Sequence, residues 1–93
     1  MLPFVRVDRY TPMRVNDDEG GSTETLGAAT EMWGIIRVHE AEIVFICRTD
    51  ESVQTEDRIM VDTAQYRVIG RRGHLQGPYT QYDVERVARP IVP

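Results

Sequence analysis

From Ala41 to Val87 short apolar-rich runs recur, each closed by polar turn formers, with little of the three-to-four spacing that marks an amphipathic helix. That pattern predicts an all-β fold. Ile43 to Cys47 is an unbroken apolar run, the signature of a strand covered on both faces, and it is the best candidate for the centre of a sheet. Downstream, Thr55 to Gly70 reads as two strands joined across the residues after Val61. Ile59 and Val61 then share one pleat face, and Tyr66, Val68 and Gly70 another.

The rest of the chain fits the same scheme. Residues Phe4 to Tyr10 alternate as a first strand, which Pro12 ends or confines to a sheet edge, and Met13 to Val15 continue it. Asn16-Asp17-Asp18-Glu19-Gly20-Gly21-Ser22 concentrates turn formers and predicts a hairpin tip leading into Thr23, Thr25 and Leu26. A long, bent second strand is expected from Leu26 through Trp33 to Val38. Arg71 to Pro78 reads as a loop, and Tyr79 to Val87 as a final strand on which Tyr82, Val84 and Arg86 face one way. Ala88 to Pro93 holds two prolines and is expected to leave the ladder as a tail. The expectation is one domain over residues 1–87, a small β-barrel or sandwich of about six antiparallel strands with a long N-terminal hairpin, followed by the tail 88–93.

Ninety-three residues support one thin core, so neighbours that cover the remaining apolar surface would add much to its stability. Eleven basic residues oppose fifteen acidic ones, a net charge of −4, and every basic residue is arginine. Coding bias is the simpler account of that, although arginine also suits bidentate contacts between subunits. Cys47 is the lone cysteine, which rules out an intrachain disulfide framework and favours a reducing origin. Met1 to Val5 runs at once into Arg6 and Asp8, and no apolar run approaches membrane-spanning length; a soluble protein without a membrane partner is expected.

Three pieces in fixed order carry a resemblance: the Val15-Asn16-Asp17-Asp18-Glu19-Gly20-Gly21-Ser22-Thr23-Glu24-Thr25 hairpin, the Met32-Trp33-Gly34-Ile35-Ile36 strand, and Asp57-Arg58-Ile59 followed by the Tyr66-Arg67-Val68 strand up to Gly70. Over roughly Arg6 to Val87 the chain resembles the head-closure proteins of tailed bacteriophages, also called head-tail connector, joining or stopper proteins. The resemblance implies a small β-barrel subunit repeated in a ring, twelvefold, below the portal of the DNA-filled head. A portal or adaptor protein would lie above it and a tail terminator or tail tube below, with genomic DNA passing through the channel without specific binding. It implies a virion protein made in the host cytoplasm. One departure concerns gating. The family's longer insertion after the tryptophan strand is replaced here by Val38-His39-Glu40-Ala41-Glu42, which takes away the expected channel-plugging loop.

Candidate functional residues follow from charge and chemistry. Residues 16–32 hold Asp17, Asp18, Glu19, Glu24 and Glu31 with no basic residue. In a ring, the turn built from Asp17, Asp18, Glu19 and Glu24 would make a negative annulus past which phosphates slide; outside one it is a solvated turn. Arg67, Arg71 and Arg72 are candidates for contacts to a neighbouring subunit or partner, or are simply solvated, and Ile91 and Val92 on the tail are candidates to dock on one. Trp33, Tyr66, Tyr79 and Tyr82 are expected in the core or half-buried, and any that is exposed becomes an interface anchor candidate.

His39, Glu40, Glu42 and His74 are the only set with metal-ligand chemistry, but their spacing is not that of a dedicated site, and neither metal nor cofactor is expected. Cys47 sits in an apolar run that disfavours a thiolate, so no catalytic residue is assigned and the chain is not expected to be an enzyme. The competing expectation is a monomeric SH3- or OB-like small-barrel module that binds a peptide or protein. A small hydrolase would need a convergent polar pocket that the sequence does not advertise.

Overall fold

The computed structural model describes residues 3–16, 20–75 and 77–90. Eight strands follow one another in the chain: β1 (Val5–Tyr10), β2 (Pro12–Asn16), β3 (Ser22–Leu26), β4 (Thr30–His39), β5 (Glu42–Arg48), β6 (Arg58–Val61), β7 (Ala64–Leu75) and β8 (Tyr79–Arg86). Six of them close into an antiparallel barrel in the order β1-β4-β5-β8-β7-β6, while β2 and β3 form a separate two-stranded sheet. The barrel closes because β1 pairs on one side with β4, through Val7↔Met32, and on the other with β6, through Arg9↔Ile59. Closure removes the sheet edges that a sandwich of the same strands would expose.

Alternation along the strands fills the interior. Val7, Met32, Phe45, Cys47, Ile59, Val68, Tyr82 and Val84 form the core, with Ile36, Ile43, Val53, Val61 and Tyr66 packed against it. The apolar run predicted as central is β5, flanked by β4 and β8, and Val44, Phe45, Ile46 and Cys47 on it are all buried. The Phe45 ring lies over Gly34, where an added Cβ would sit 2.9 Å from the Ile46 carbonyl oxygen and closer still to the ring. Gly34 is therefore the notch that admits the largest of the fully buried side chains.

The turns agree with the sequence reading. The β4–β5 connection is reduced to Glu40 and Ala41, with Glu40 at φ 56°, and β6 turns into β7 through Asp62 at φ 55°. β2 pairs antiparallel with β3, with Pro12↔Leu26 and Asn16↔Ser22 at the two ends of the ladder. The hairpin tip expected at Asp17, Asp18 and Glu19 lies outside the described residues.

Three expectations need correction. The long second strand from Leu26 does not form: Leu26 belongs to β3, residues 27–29 are irregular, and β4 starts afresh at Thr30. Gly27 closes the root of the hairpin by donating its N–H to the Thr11 carbonyl at 3.2 Å. Arg71 to Leu75 is not a loop but the second half of β7, which pairs with β8 as far as Leu75↔Tyr79. Register shifts at Val68/Gly70 and Arg71/Gly73 break the alternation there. The first shift also removes Gly70 from the face of Tyr66 and Val68, since Gly70 pairs with Asp83 while Val68 pairs with Val84.

Past β8, Val87 still donates to the Gln65 carbonyl at 2.9 Å, and residues 88–90 leave the ladder. Among the described residues no helix is long and apolar enough to cross a membrane.

Candidate functional site

The Asp57-Arg58-Ile59 motif works as a three-way joint. Ile59 points into the core and is fully buried. Asp57, 2% exposed, accepts hydrogen bonds from the Gln54 N–H at 3.0 Å, the Thr11 hydroxyl at 3.2 Å and Arg9 Nη1 at 3.2 Å. Arg9 Nη1 also reaches the Ser52 carbonyl at 2.8 Å, so one ion pair ties β1 to the loop before β6. Arg58 turns the other way and donates from Nη2 to Glu24 Oε1 on β3 at 2.6 Å, anchoring the hairpin to the barrel. The Nε atoms of Arg9 and Arg58 are buried with no hydrogen-bond partner. A cleft of about 380 Å³ opens beside this joint, with Pro12, Arg14, Glu24, Thr55 and Glu56 among its walls. Its carboxylates are already committed: Asp57 to three donors, Glu24 to Arg58, and Glu56 to Arg67.

The arginines singled out from the sequence are mostly spent within the chain. Arg67 donates from Nε to Glu85 at 2.7 Å and from Nη1 to Glu56 at 3.3 Å, and these two partners hold its guanidinium more firmly protonated than usual, Glu85 foremost. Arg72 reaches Glu42 at 2.9 Å and Asp83 at 3.7 Å. The hydrogen bond from Arg72, and then its charge, holds the Glu42 carboxyl below the usual range. Arg71 meets His74 Nε2 at 2.9 Å and stays exposed. Glu24 is not a free carboxylate, and Asp17, Asp18, Glu19, Ile91 and Val92 lie outside the described residues. The β4–β5 turn sets His39 opposite Glu42, but among the described residues no group of three His, Cys, Asp or Glu could hold a metal ion. Burial pushes the Cys47 thiol up to about 12, which removes the thiolate that nucleophilic chemistry requires.

Aromatic placement divides. Tyr82 is in the core, and burial raises its hydroxyl pKa; Tyr66 packs against the core; Tyr79 meets Phe4 edge-to-face at 5.2 Å. Trp33 departs from the core expectation and is 60% exposed on the outer wall of β4. The signal was in the sequence: Glu31, Trp33, Ile35 and Arg37 share one phase of the strand, and Met32, Gly34 and Ile36 the other. Charged residues in the first set keep that set outside. Arg6, directly across on β1, is ion-paired with Glu31, so the indole is flanked by a neutralised pair rather than covered by it. Ile69, in the register shift of β7, is 47% exposed as well. Beside the closed barrel stands the two-stranded β2–β3 sheet, and apolar side chains are exposed on the barrel wall. No model of a known protein family matches the chain, and no curated protein matches it significantly.

Proposed function

We propose that this chain is a structural subunit of a tailed-phage neck, repeated in a ring between the portal or adaptor and the tail, and that it acts through surfaces with no catalytic centre. The observation that carries the reading is the β2–β3 hairpin. It is a two-stranded sheet of its own, and among the described residues neither of its outer edges is paired. A two-stranded hairpin is marginal in water by itself and gains stability from packing against something more. Here its side-chain ties to the barrel among the described residues are few, chiefly Arg58 to Glu24, while the molecule extends to 50 Å along its long axis against 28 and 23 Å across. An arm of that kind is suited to neighbours.

Three further points support it. The hairpin, the tryptophan strand and the Asp-Arg-Ile strand pair are the segments that resemble head-closure proteins. The net charge of −4, with Arg67 and Arg72 committed to carboxylates, suits a channel lining that lets DNA pass without holding it. The two-residue β4–β5 turn leaves no plug at that point, so closing the head would fall to the ring as a body.

A second reading, a monomeric SH3- or OB-like interaction module, draws on the cleft beside Pro12 and Glu24 as a peptide groove. Native mass measurement of the chain mixed with portal and adaptor proteins separates the two. The neck reading expects stoichiometric addition of many identical copies to the portal assembly. A chain that stays a monomer and ignores those proteins ends it.

A further inference from the structure

Glu24 on β3 stands between two arginines. Towards the barrel it accepts from Arg58 Nη2 at 2.6 Å. Within its own hairpin it is directly opposite Arg14 on β2, at the spacing of about 5 Å between Cβ atoms over which cross-strand charges pair. Arg14 is exposed and makes no ion pair among the described residues, and both side chains line the cleft of about 380 Å³ that separates the hairpin from the loop before β6. The contact to Arg58 carries a cost. Arg58 lies on the outer phase of β6, since Ile59 and Val61 face the core, yet it is 8% exposed and its Nε is buried without a partner. A buried donor left unpaired costs free energy that water would return, so lifting the hairpin removes a penalty along with the ion pair.

The root of the hairpin is built differently. Thr11 alone joins β1 to β2; its carbonyl accepts from the Gly27 N–H and its hydroxyl donates to Asp57, each at 3.2 Å. The chain returns through residues 27–29, Gly-Ala-Ala, which belong to no strand. Among the described residues no barrel strand pairs with β2 or β3. The root is thus pinned to the barrel, and the Arg58–Glu24 pair is the latch beyond it.

We infer that the β2–β3 hairpin is a latched arm that turns as one body about Thr11 and residues 27–29, with Glu24 held by Arg58 when the arm lies over the cleft and by Arg14 when it is raised. Raising the arm exchanges one ion pair for another, wets Arg58 and opens the cleft. Two states that differ by such an exchange are balanced closely enough for one carboxylate to set their populations. The device belongs to the single chain and stands whether or not the chain is part of a ring.

The test measures, by pulsed electron resonance, the distance between nitroxides on Thr25→Cys of the arm and Ser52→Cys of the loop before β6. Both positions are exposed, and Cys47 is fully buried, which keeps it from the label. The expected result is two distances. Arg58→Gln moves the population toward the longer one about tenfold, the effect of losing a charge-assisted hydrogen bond. Arg14→Gln, an exposed change that leaves the barrel untouched, moves it toward the shorter one about twofold, because an exposed pair is worth less, and does so in the wild type and in Arg58→Gln alike. Labels on Met13→Cys and Thr25→Cys, cross-strand neighbours within the arm, stay closely coupled throughout. Thermal melting checks that each variant is folded, and Arg14→Gln in the wild type decides the matter if Arg58→Gln is not. A single distance that neither substitution moves overturns the inference, as does an Arg14→Gln chain that matches the wild type or shifts to the longer distance. Loss of the Met13–Thr25 coupling as the arm leaves the barrel overturns it too, since the hairpin would then be melting rather than turning.

Discussion

Replacing Gly34 with alanine tests the packing of the barrel at its tightest point. The new methyl would lie 2.9 Å from the Ile46 carbonyl oxygen on the paired strand and nearer still to the edge of the Phe45 ring. Elsewhere a Gly→Ala change in a strand stabilises by about 0.4–1 kcal/mol through the unfolded chain. Here one of the atoms in the way is backbone held in the β4–β5 ladder and the other belongs to a fully buried ring, so neither has room to retreat. Overpacking of this kind costs about 1–3 kcal/mol, and the backbone contact places Gly34→Ala at the upper end, a net loss of about 2 kcal/mol after the entropic gain. With a urea slope of about 1 kcal/mol per molar for a chain of this size, the unfolding midpoint falls by about 2 M. Phe45→Leu removes the ring edge that the methyl meets, so the double variant loses less than the two single variants together. A midpoint equal to or above wild type for Gly34→Ala, or strict additivity in the double variant, refutes the notch.

The other predictions concern the joints and the buried thiol. Asp57→Asn keeps the side-chain size but leaves the Arg9 guanidinium, 15% exposed, without its counter-charge; a loss of about 3 kcal/mol in urea unfolding is expected, and a change within error contradicts the role given to the pair. Glu24→Ala strands Arg58 and unties the hairpin, so amide exchange quickens in β2 and β3 ahead of the barrel, with about 2 kcal/mol lost overall. Cys47 resists alkylation in the native protein and reacts fully in denaturant. Its folded-state pKa of about 12 stands above the ordinary 9.0, so the folded state holds the proton longer. Its contribution is therefore intact below pH 9 and is lost as pH climbs from 9 toward 12, a slope that Cys47→Ala reduces while Tyr82, raised in the same direction, retains its share. Arg72→Gln returns the Glu42 carboxyl toward ordinary titration, which an NMR pH series reads directly.

Local alternation made much of this fold readable in advance. The Ile43–Cys47 run is a strand covered on both faces, as an unbroken apolar run implies, and the segments around Ile59 and Tyr66 are the paired strands β6 and β7. Pairing between distant segments leaves no such trace. Barrel closure depends on β1 meeting β6, and the Arg9–Asp57 joint links residues 48 apart, so neither is visible in a window of ten residues. The second half of β7 was obscured by its own irregularities, because Gly70, Gly73 and the register shifts look like loop chemistry while β8 holds the strand in place. Trp33 was misplaced by the ordinary preference of large aromatics for cores, although Glu31 and Arg37 on the same phase marked that face as the outer one. The acidic turn at Asp17, Asp18 and Glu19 belongs to the part of the candidate site read from sequence alone.

Electron cryomicroscopy of the chain bound to its portal assembly puts the idea of a repeated subunit to its most direct test. The account predicts a closed ring of identical small barrels, each touching two copies of itself. A single bound copy, or barrels that do not touch one another, would contradict it.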